Sequence, residues 1–377
     1  MIGWSRIIRR NEVRRVLRAS APLTIVWHLA RMPLLAQYPA IGIIDFYGLR
    51  TVSEKAVRNV LGIQEGDPFP ASGPAEAENR LEGIPGVSRA RLELTCCEAD
   101  KAILYVGIEE TGAPRLTFRK PPTTHLELPG EIAETYRQFD DAVQEAVLKG
   151  DAADDISQGH SLMANPAARA FQDRFVVYAG RYLHDLRRVL RRSADVEQRA
   201  IAAWVIGYAP KKAVVVDDLE HAMRDPDDVV RNNAMRALWA IASFSRRRFE
   251  PGIRISPAPL IGLLNSMVWS DRNKAMAVLE ALTQDRDTRV LRELRLSSLS
   301  SLAEMARWKS QGHAFAAYVL LGRVGGLSER EIADSWSRGE RESAIARILE
   351  SQHTNNDDHY EGARKRKPHR SQTATTP

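Results

Sequence analysis

Residues Asp195–Ile241 read DVEQRAIAAWVIGYAPKKAVVVDDLEHAMRDPDDVVRNNAMRALWAI. Shifted by 32 residues, the stretch lays Asp195 on Asp227, Arg199 on Arg231, Ala202 on Ala234 and Ile206 on Leu238. One helical hairpin is followed by a near copy of itself. Units of that length bury their apolar faces only by stacking on one another, so the period predicts an array of helix pairs.

The array extends outward in both directions, over about 166–350. Asn165-Pro166 supplies an N-cap and a first-turn proline. A helix running to Arg192 follows, with Phe171, Phe175, Tyr178, Tyr182, Leu186 and Val189 as its packing stripe. Asp225-Pro226-Asp227-Asp228 caps a further helix, whose core side is Val230, Ala234, Leu238 and Ile241. A loop is expected over 245–259. Asp271, Ala275, Val278 and Leu282 then repeat the pattern without its arginine, and later helices read as a drifted end cap opened by a Ser328–Glu331 capping box.

An Asp four residues before an Arg, followed by a small core residue, resembles HEAT repeats. In that family the Asp and Arg lie at the turn between stacked units and link neighbours. The resemblance assigns Asp195, Arg199, Asp227 and Arg231 this structural part. It implies an α-solenoid that binds protein.

Before the array, residues 40–110 read as β-α-α-β-β. Ile41–Tyr47 is a short strand stopped by Gly48, and Ser53 caps a helix that Gly62 ends. Ala75–Leu81 is a second helix. In the last two strands Ala90, Leu92, Leu94 and Cys96 face one way, against Arg89, Arg91, Glu93 and Thr95. Period two with one buried face is expected. The phrases IDFYGLRTVSEKAVRNVLGIQEGDPF, RLEGIPGVSRARLEL and ILYVGIEE resemble a POTRA domain. The resemblance implies an extracytoplasmic module that holds a partner strand at a free sheet edge. A single copy followed by helices departs from the membrane-assembly families, so a role in barrel insertion does not carry over. The fold class expected is α+β, a small POTRA-like βααββ domain followed by an all-α HEAT-like array.

The formal net charge of +6 invites a nucleic-acid reading. Residues 1–38 hold seven arginines against one acid, so the remainder of the chain sums to zero. Nucleic acid is therefore an unexpected partner. The alternative function, a nucleic-acid-binding protein or HEAT-like enzyme, rests on arginine clusters at 187–192 and 246–248. Residues 19–30 behind the basic start match a short secretory signal, with Leu34-Leu35-Ala36 as a cleavage site. The competing reading is translation from near Met32. Export to the periplasm or medium is expected, with a cytoplasmic location as its alternative. No stretch has the roughly 20 apolar residues of a membrane helix.

The connector, 111–165, holds one helix over Glu131–Lys149 between irregular, Pro- and Gly-marked stretches. Its Gly159-His160-Ser161 lacks the flanking glycines of a hydrolase elbow and reads as turn chemistry. The adjacent Cys96 and Cys97 exclude a cysteine zinc site, and read as one buried and one outward side chain. From residue 351 the chain is a polar, basic tail, expected to be disordered. No catalytic, cofactor or metal constellation is expected. The function expected is a non-enzymatic scaffold that holds protein partners at a sheet edge and on a helical-repeat surface.

Overall fold

The computed structural model describes residues 39–70, 72–248 and 252–351. The expected export segment and the basic tail lie outside the described residues. The N-terminal module has the element order read from the sequence: β1 (Ile41–Tyr47), α1 (Glu54–Leu61), α2 (Ala75–Glu82), β2 (Val87–Glu98) and β3 (Lys101–Glu110). Ser53 accepts from the Ala56 amide to cap α1, and Gly62, at φ 68°, closes it in the left-handed region that favours glycine. The sheet order is β1-β3-β2, with β1 parallel and β2 antiparallel to β3. Ile44, Leu92, Leu94, Leu104 and Val106 bury one face with Val57 and Leu61 of α1 and Leu81 of α2.

The other face is buried as well over Glu93 and Thr95, though not at Arg89, which corrects the one-sided expectation for that part of the strand. Glu93 is 3% and Thr95 1% exposed, and Tyr105 beside them is 0% exposed. The helical array seals this face. Cys96 and Cys97 are joined in a disulfide. Cys96 is only half-buried, because the β2–β3 register breaks between Thr95 and Glu98. This corrects the reading of Cys96 as a buried side chain, while Cys97 is exposed as expected.

Next come α3 (Gly130–Leu148), a hairpin of β4 (Asp154–Asp155) and β5 (Leu162–Met163), α4 (Pro166–Arg181) and α5 (Leu183–Arg192). The repeats are built from α6 (Val196–Ile206), α7 (Val216–Ala222), α8 (Asp228–Arg248), α9 (Pro257–Leu263), α10 (Trp269–Leu282) and α11 (Thr288–Ala306). They end with α12 (Gln311–Val324), α13 (Glu329–Ser337) and a helix α14 over 341–351. The chain breaks at Tyr182, where one helix was expected. The apolar stripe keeps its 3–4 spacing through the break, so the sequence does not show it. The break lets α4 pack on α3 while α5 pairs with α6 and α7. The loop expected from Ser245 begins later, because α8 continues to Arg248.

Helices α6, α8, α10 and α12 pack side by side as one layer. A second layer backs it, with α5 on α6, α7 on α8, α9 on α10 and α11 on α12. The chain's own N-terminal half covers the first layer's outer side. Tyr136 and Phe139 of α3 pack on Trp204 of α6. The β4–β5 hairpin sits on Arg236 of α8. Tyr105 of the sheet stacks on Trp269 of α10 at 4.7 Å and meets Trp308. Among the described residues, the outer side of α6, α8 and α10 is thus covered. These connector and sheet residues are themselves apolar, and the array is the surface that removes them from water.

Hydrogen bonds fix the sheet on the array. The Glu93 carboxylate accepts from the Trp269 amide at 2.8 Å and the Ser270 amide at 3.3 Å. These amides open α10, where a negative charge also meets the helix dipole. Asp45 accepts from the Lys309 amide at 3.0 Å, and Glu304 from the Gly48 amide at 3.1 Å. The Tyr47 hydroxyl donates to the Met267 carbonyl at 2.9 Å.

Burial lifts Glu93 to about 7 against the nearby Arg91, with Asp228 and Asp271 adding to the rise, and lifts Asp45 to about 6. A carboxyl whose folded pKa is raised favours the folded state most when protonated. That contribution is lost as pH rises from the ordinary carboxylate range through about 7 for Glu93. Glu93→Gln keeps an acceptor for the α10 amides and cannot titrate. Between about pH 5 and about pH 8, wild type is expected to lose on the order of 2 kcal/mol more stability than Glu93→Gln. Urea midpoints at the two pH values measure the difference, and parallel losses would refute the assignment.

Candidate functional site: the turn row of the helical array

The turns that open α6, α8 and α10 share one construction. Ser193, Asp225 and Ser266 each accept, through the side chain, the amide two residues on, at Asp195, Asp227 and Val268. Arg199, Arg231 and Arg272 each donate to the carbonyl six residues back, at Ser193, Asp225 and Ser266. Each arginine thus closes its own turn from inside the helix that follows.

The arginines also bridge to the next unit. Arg199 holds Asp225 in a fork, Nε to Oδ2 and Nη2 to Oδ1, both at 2.9 Å. Arg231 holds Asp271 likewise, at 2.8 and 2.7 Å. Arg272 reaches Glu304 of α11 at 3.2 Å. Paired charges of this kind, with further donors placed on backbone carbonyls, are the form in which buried arginines are tolerated.

Of the four residues singled out in the sequence, Arg199 and Arg231 link neighbouring units. Asp195 and Asp227 cap their own helices, accepting from Gln198 and from Val229 and Val230. The aspartates that receive the arginines are Asp225 and Asp271. Asp271 also lies inside α10, not at its cap, which is Val268. The third unit therefore has its arginine, Arg272, 41 residues after Arg231 instead of 32.

The connector lies along this row of turns as an extended chain. Its Leu128 amide donates to Gln198 at 2.8 Å, and Ser193 donates to the Leu126 carbonyl at 2.6 Å. The Ala194 amide donates to the Thr124 carbonyl at 2.6 Å, inside a parallel bridge of Thr124 with Ser193. At the second turn the Arg119 amide donates to the Arg224 carbonyl at 2.8 Å, and its guanidinium reaches Asp225 at 3.2 Å. Phe118 lies under the Arg231 guanidinium at 3.9 Å. The stretch reads as irregular in sequence because its pairing partners are on the array.

At the third turn the connector leaves the row to join β3, and a cleft of about 600 Å³ opens. Asn265, Ser266 and Met267 of the turn form one wall, Ser297 and Ser300 of α11 another, and Arg89 and Arg91 of β2 a third. Arg50, Arg89 and Arg115 stand at its rim. Arg89 and Arg115 are 51% and 66% exposed along their side chains and share the largely buried Glu109. The Arg50 guanidinium has no acidic partner among the described residues.

Gly159-His160-Ser161 belongs to a buried network instead of a free turn. Lys212 Nζ lies 3.1 Å from His160 Nδ1 and donates to the Gly207 carbonyl. Burial lowers Lys212 to about 8, and burial together with that ammonium lowers His160 to about 4. Ser161 donates to Asp154 and accepts from Arg236 at 2.6 Å. Tyr208 donates to the Ser161 carbonyl. The cavity beside these groups measures about 10 Å³, too small for a substrate. The network clamps the β4–β5 hairpin to α6 and α8. Among the described residues no group of three His, Cys, Asp or Glu side chains is placed to hold a metal.

Five arginines of the two clusters are tied into the fold. Arg187 and Arg191 both pair with Asp218 of α7, at 2.7 and 2.6 Å. Arg188 pairs with Asp185, Arg246 with Asp285, and Arg247 donates to the Ile156 carbonyl. No helix of the described residues is long and apolar enough to cross a membrane.

No protein-family model and no curated protein matches the chain. Solved structures similar to it include a designed armadillo repeat protein in complex with the peptide (KR)4. It has a TM-score of 0.33 and 14% identity, over 59% of this chain and 100% of that one. Another is a computationally designed armadillo repeat protein for modular peptide recognition. It has a TM-score of 0.33 and 13% identity, over 58% of this chain and 98% of that one.

Proposed function

We propose that the chain is a non-enzymatic scaffold that holds protein partners along the turn row of its helical array. The observation that carries this reading is the connector. The array already receives an extended chain there, through main-chain bonds at two successive turns and side-chain anchors at Phe118 and Arg119. The same row then opens to solvent at its third turn. The POTRA resemblance and the signal-like start support a place outside the cytoplasmic membrane, where such a scaffold would join envelope proteins.

The sheet edges are less suited to that task than the resemblance implies. On β2 the Ala90 and Leu92 amides are taken by Glu82 and Glu78 of α2. On β1 the Ile41 amide goes to the Asp67 carbonyl and the Ile44 amide to Glu65. A strand added there has to displace these partners. The cleft is the better-prepared surface.

The test is affinity capture from a bacterial envelope extract with the full chain on beads, quantified against bare beads. Retention of the same small set of proteins in independent extracts is expected. Retention no greater than on bare beads would overturn the scaffold reading.

A further inference from the structure

We infer that the cleft takes an extended acidic peptide segment of a partner protein, laid on the third turn as the connector lies on the first two. The inference rests on the scaffold reading and names the chemistry of its partner. The continuity is geometric. At the first turn the receiving groups are the Ser193 hydroxyl and the Ala194 amide, and at the second the Arg224 carbonyl and Asp225. Residues 265–268 are built on the same turn plan, with Ser266 in the place of Ser193 and Asp225, although the Ser266 hydroxyl donates to Asp271 and not outward as Ser193 does. There the sheet covers the Met267 carbonyl through Tyr47, the connector residues Ala113, Pro114, Arg115 and Leu116 line one side, and the space left between measures about 600 Å³.

The charge follows from the rim. At the second turn the visitor is a cation, Arg119, because the turn offers Asp225. At the third turn the equivalent residue is the neutral Ser266, and the opposite wall carries Arg89 and Arg91. Arg91 is matched by Asp228 at 2.7 Å. Arg89 and Arg115 have one carboxylate, Glu109, between them, and Arg50 adds a further positive charge. Asp227 also lines the cleft, so that, besides the paired Arg231 and Arg272, the four arginines Arg50, Arg89, Arg91 and Arg115 outnumber the three carboxylates Glu109, Asp227 and Asp228. Carboxylate side chains at alternate positions of an extended peptide meet these guanidinium groups while its main chain follows the turn.

The probe is a fluorescein-labelled pool of ten-residue peptides with Glu at alternate positions and mixed residues between. Matched pools carry Gln or Lys in place of Glu, and a labelled oligothymidine of similar length serves as a polyanion of the other class. Anisotropy with the full chain is expected to show the Glu pool bound about tenfold or more tighter than the Gln pool, and weakening as salt is raised. Ser300→Trp fills the cleft from an exposed helix position while keeping every arginine in the sequence, and is expected to abolish this binding with an unchanged melting curve. Arg50→Glu is expected to weaken it about tenfold. Equal binding of Glu and Gln pools, undiminished binding by folded Ser300→Trp, or oligothymidine bound as tightly as the Glu pool would each overturn the inference. Envelope proteins that stay on Ser300→Trp beads would leave the scaffold reading standing and remove only the cleft.

Discussion

Arg231→Ala is expected to lower stability by about 3–5 kcal/mol, the cost of leaving a buried charge without its partner. Arg231 is 2% exposed and places four of its five N–H donors, two on Asp271 and two on the Asp225 and Pro226 carbonyls. Its guanidinium plane also covers Phe118. Truncation strands Asp271, which is 0% exposed and keeps only Ser266 as a side-chain donor. Two controls separate this from a general effect of losing an arginine. Arg289→Ala, at a side chain 90% exposed, is expected to leave the melting curve in place. The double change Arg231→Met with Asp271→Leu removes both charges together and is expected to recover most of the loss.

A pH dependence accompanies Arg231→Ala. Burial already raises the Asp271 carboxyl against the pull of Arg231. Without the arginine the neutral acid is favoured further in the folded state. The variant's deficit should then shrink as pH falls and grow as pH rises. Urea unfolding of the variants at several pH values reads all of this. A single variant that melts like wild type, or a double variant that loses the sum of its parts, would remove the ladder from the account of stability.

The repeat was legible because Arg199 and Arg231 keep both their residue type and their spacing. Their acceptors were not, since Asp225 and Asp271 sit at different distances along the chain, 26 residues on in one case and 40 in the other. The third unit was hidden twice over. Its cap is Val268, which carries no capping oxygen, and a longer α8 displaces Arg272 from the expected offset. The hairpin at 154–163 has two-residue strands, too short for alternation to declare itself. The misread face of the sheet has a different origin. Glu93 and Thr95 look like solvent residues beside Leu92 and Leu94, but the amide that satisfies Glu93 is 176 residues away. Local pattern records which side chains alternate, and it is silent about what arrives to cover the polar set. The cleft was out of reach for the same reason. Its lining comes from the sheet module, the connector, the second and third turns and α11, which meet only when the sheet docks.

Whether the sheet and the array are one body is open to a sharp test at Gly107. A Cβ placed there would lie 2.2 Å from the Met267 carbonyl oxygen and 2.8 Å from the Tyr47 ring and hydroxyl. Gly107 pairs with Arg91 on one side and Tyr47 on the other, so its backbone cannot retreat within the sheet. Nor can Met267 move freely, since the turn it belongs to is closed by Arg272 on the Ser266 carbonyl. Gly107→Val must therefore lift the sheet from α10. Losing the Tyr47–Met267 bond, the Glu93 bonds to α10 and the Tyr105–Trp269 stack adds to the steric cost. A loss of about 3 kcal/mol or more is expected, with Gly107→Ala smaller but in the same direction. The location of the damage is the more telling readout. Amide exchange should quicken at Trp269, Ser270 and Lys309 while α6 stays protected, and indole emission should shift red as Trp269 and Trp308 meet water. Binding of the Glu pool should vanish along with the docked geometry, because β2 supplies a wall of the cleft. A sheet merely tethered in front of the array would instead carry the valine with no change in exchange at α10, and that result would dissolve both the interface and the cleft built on it.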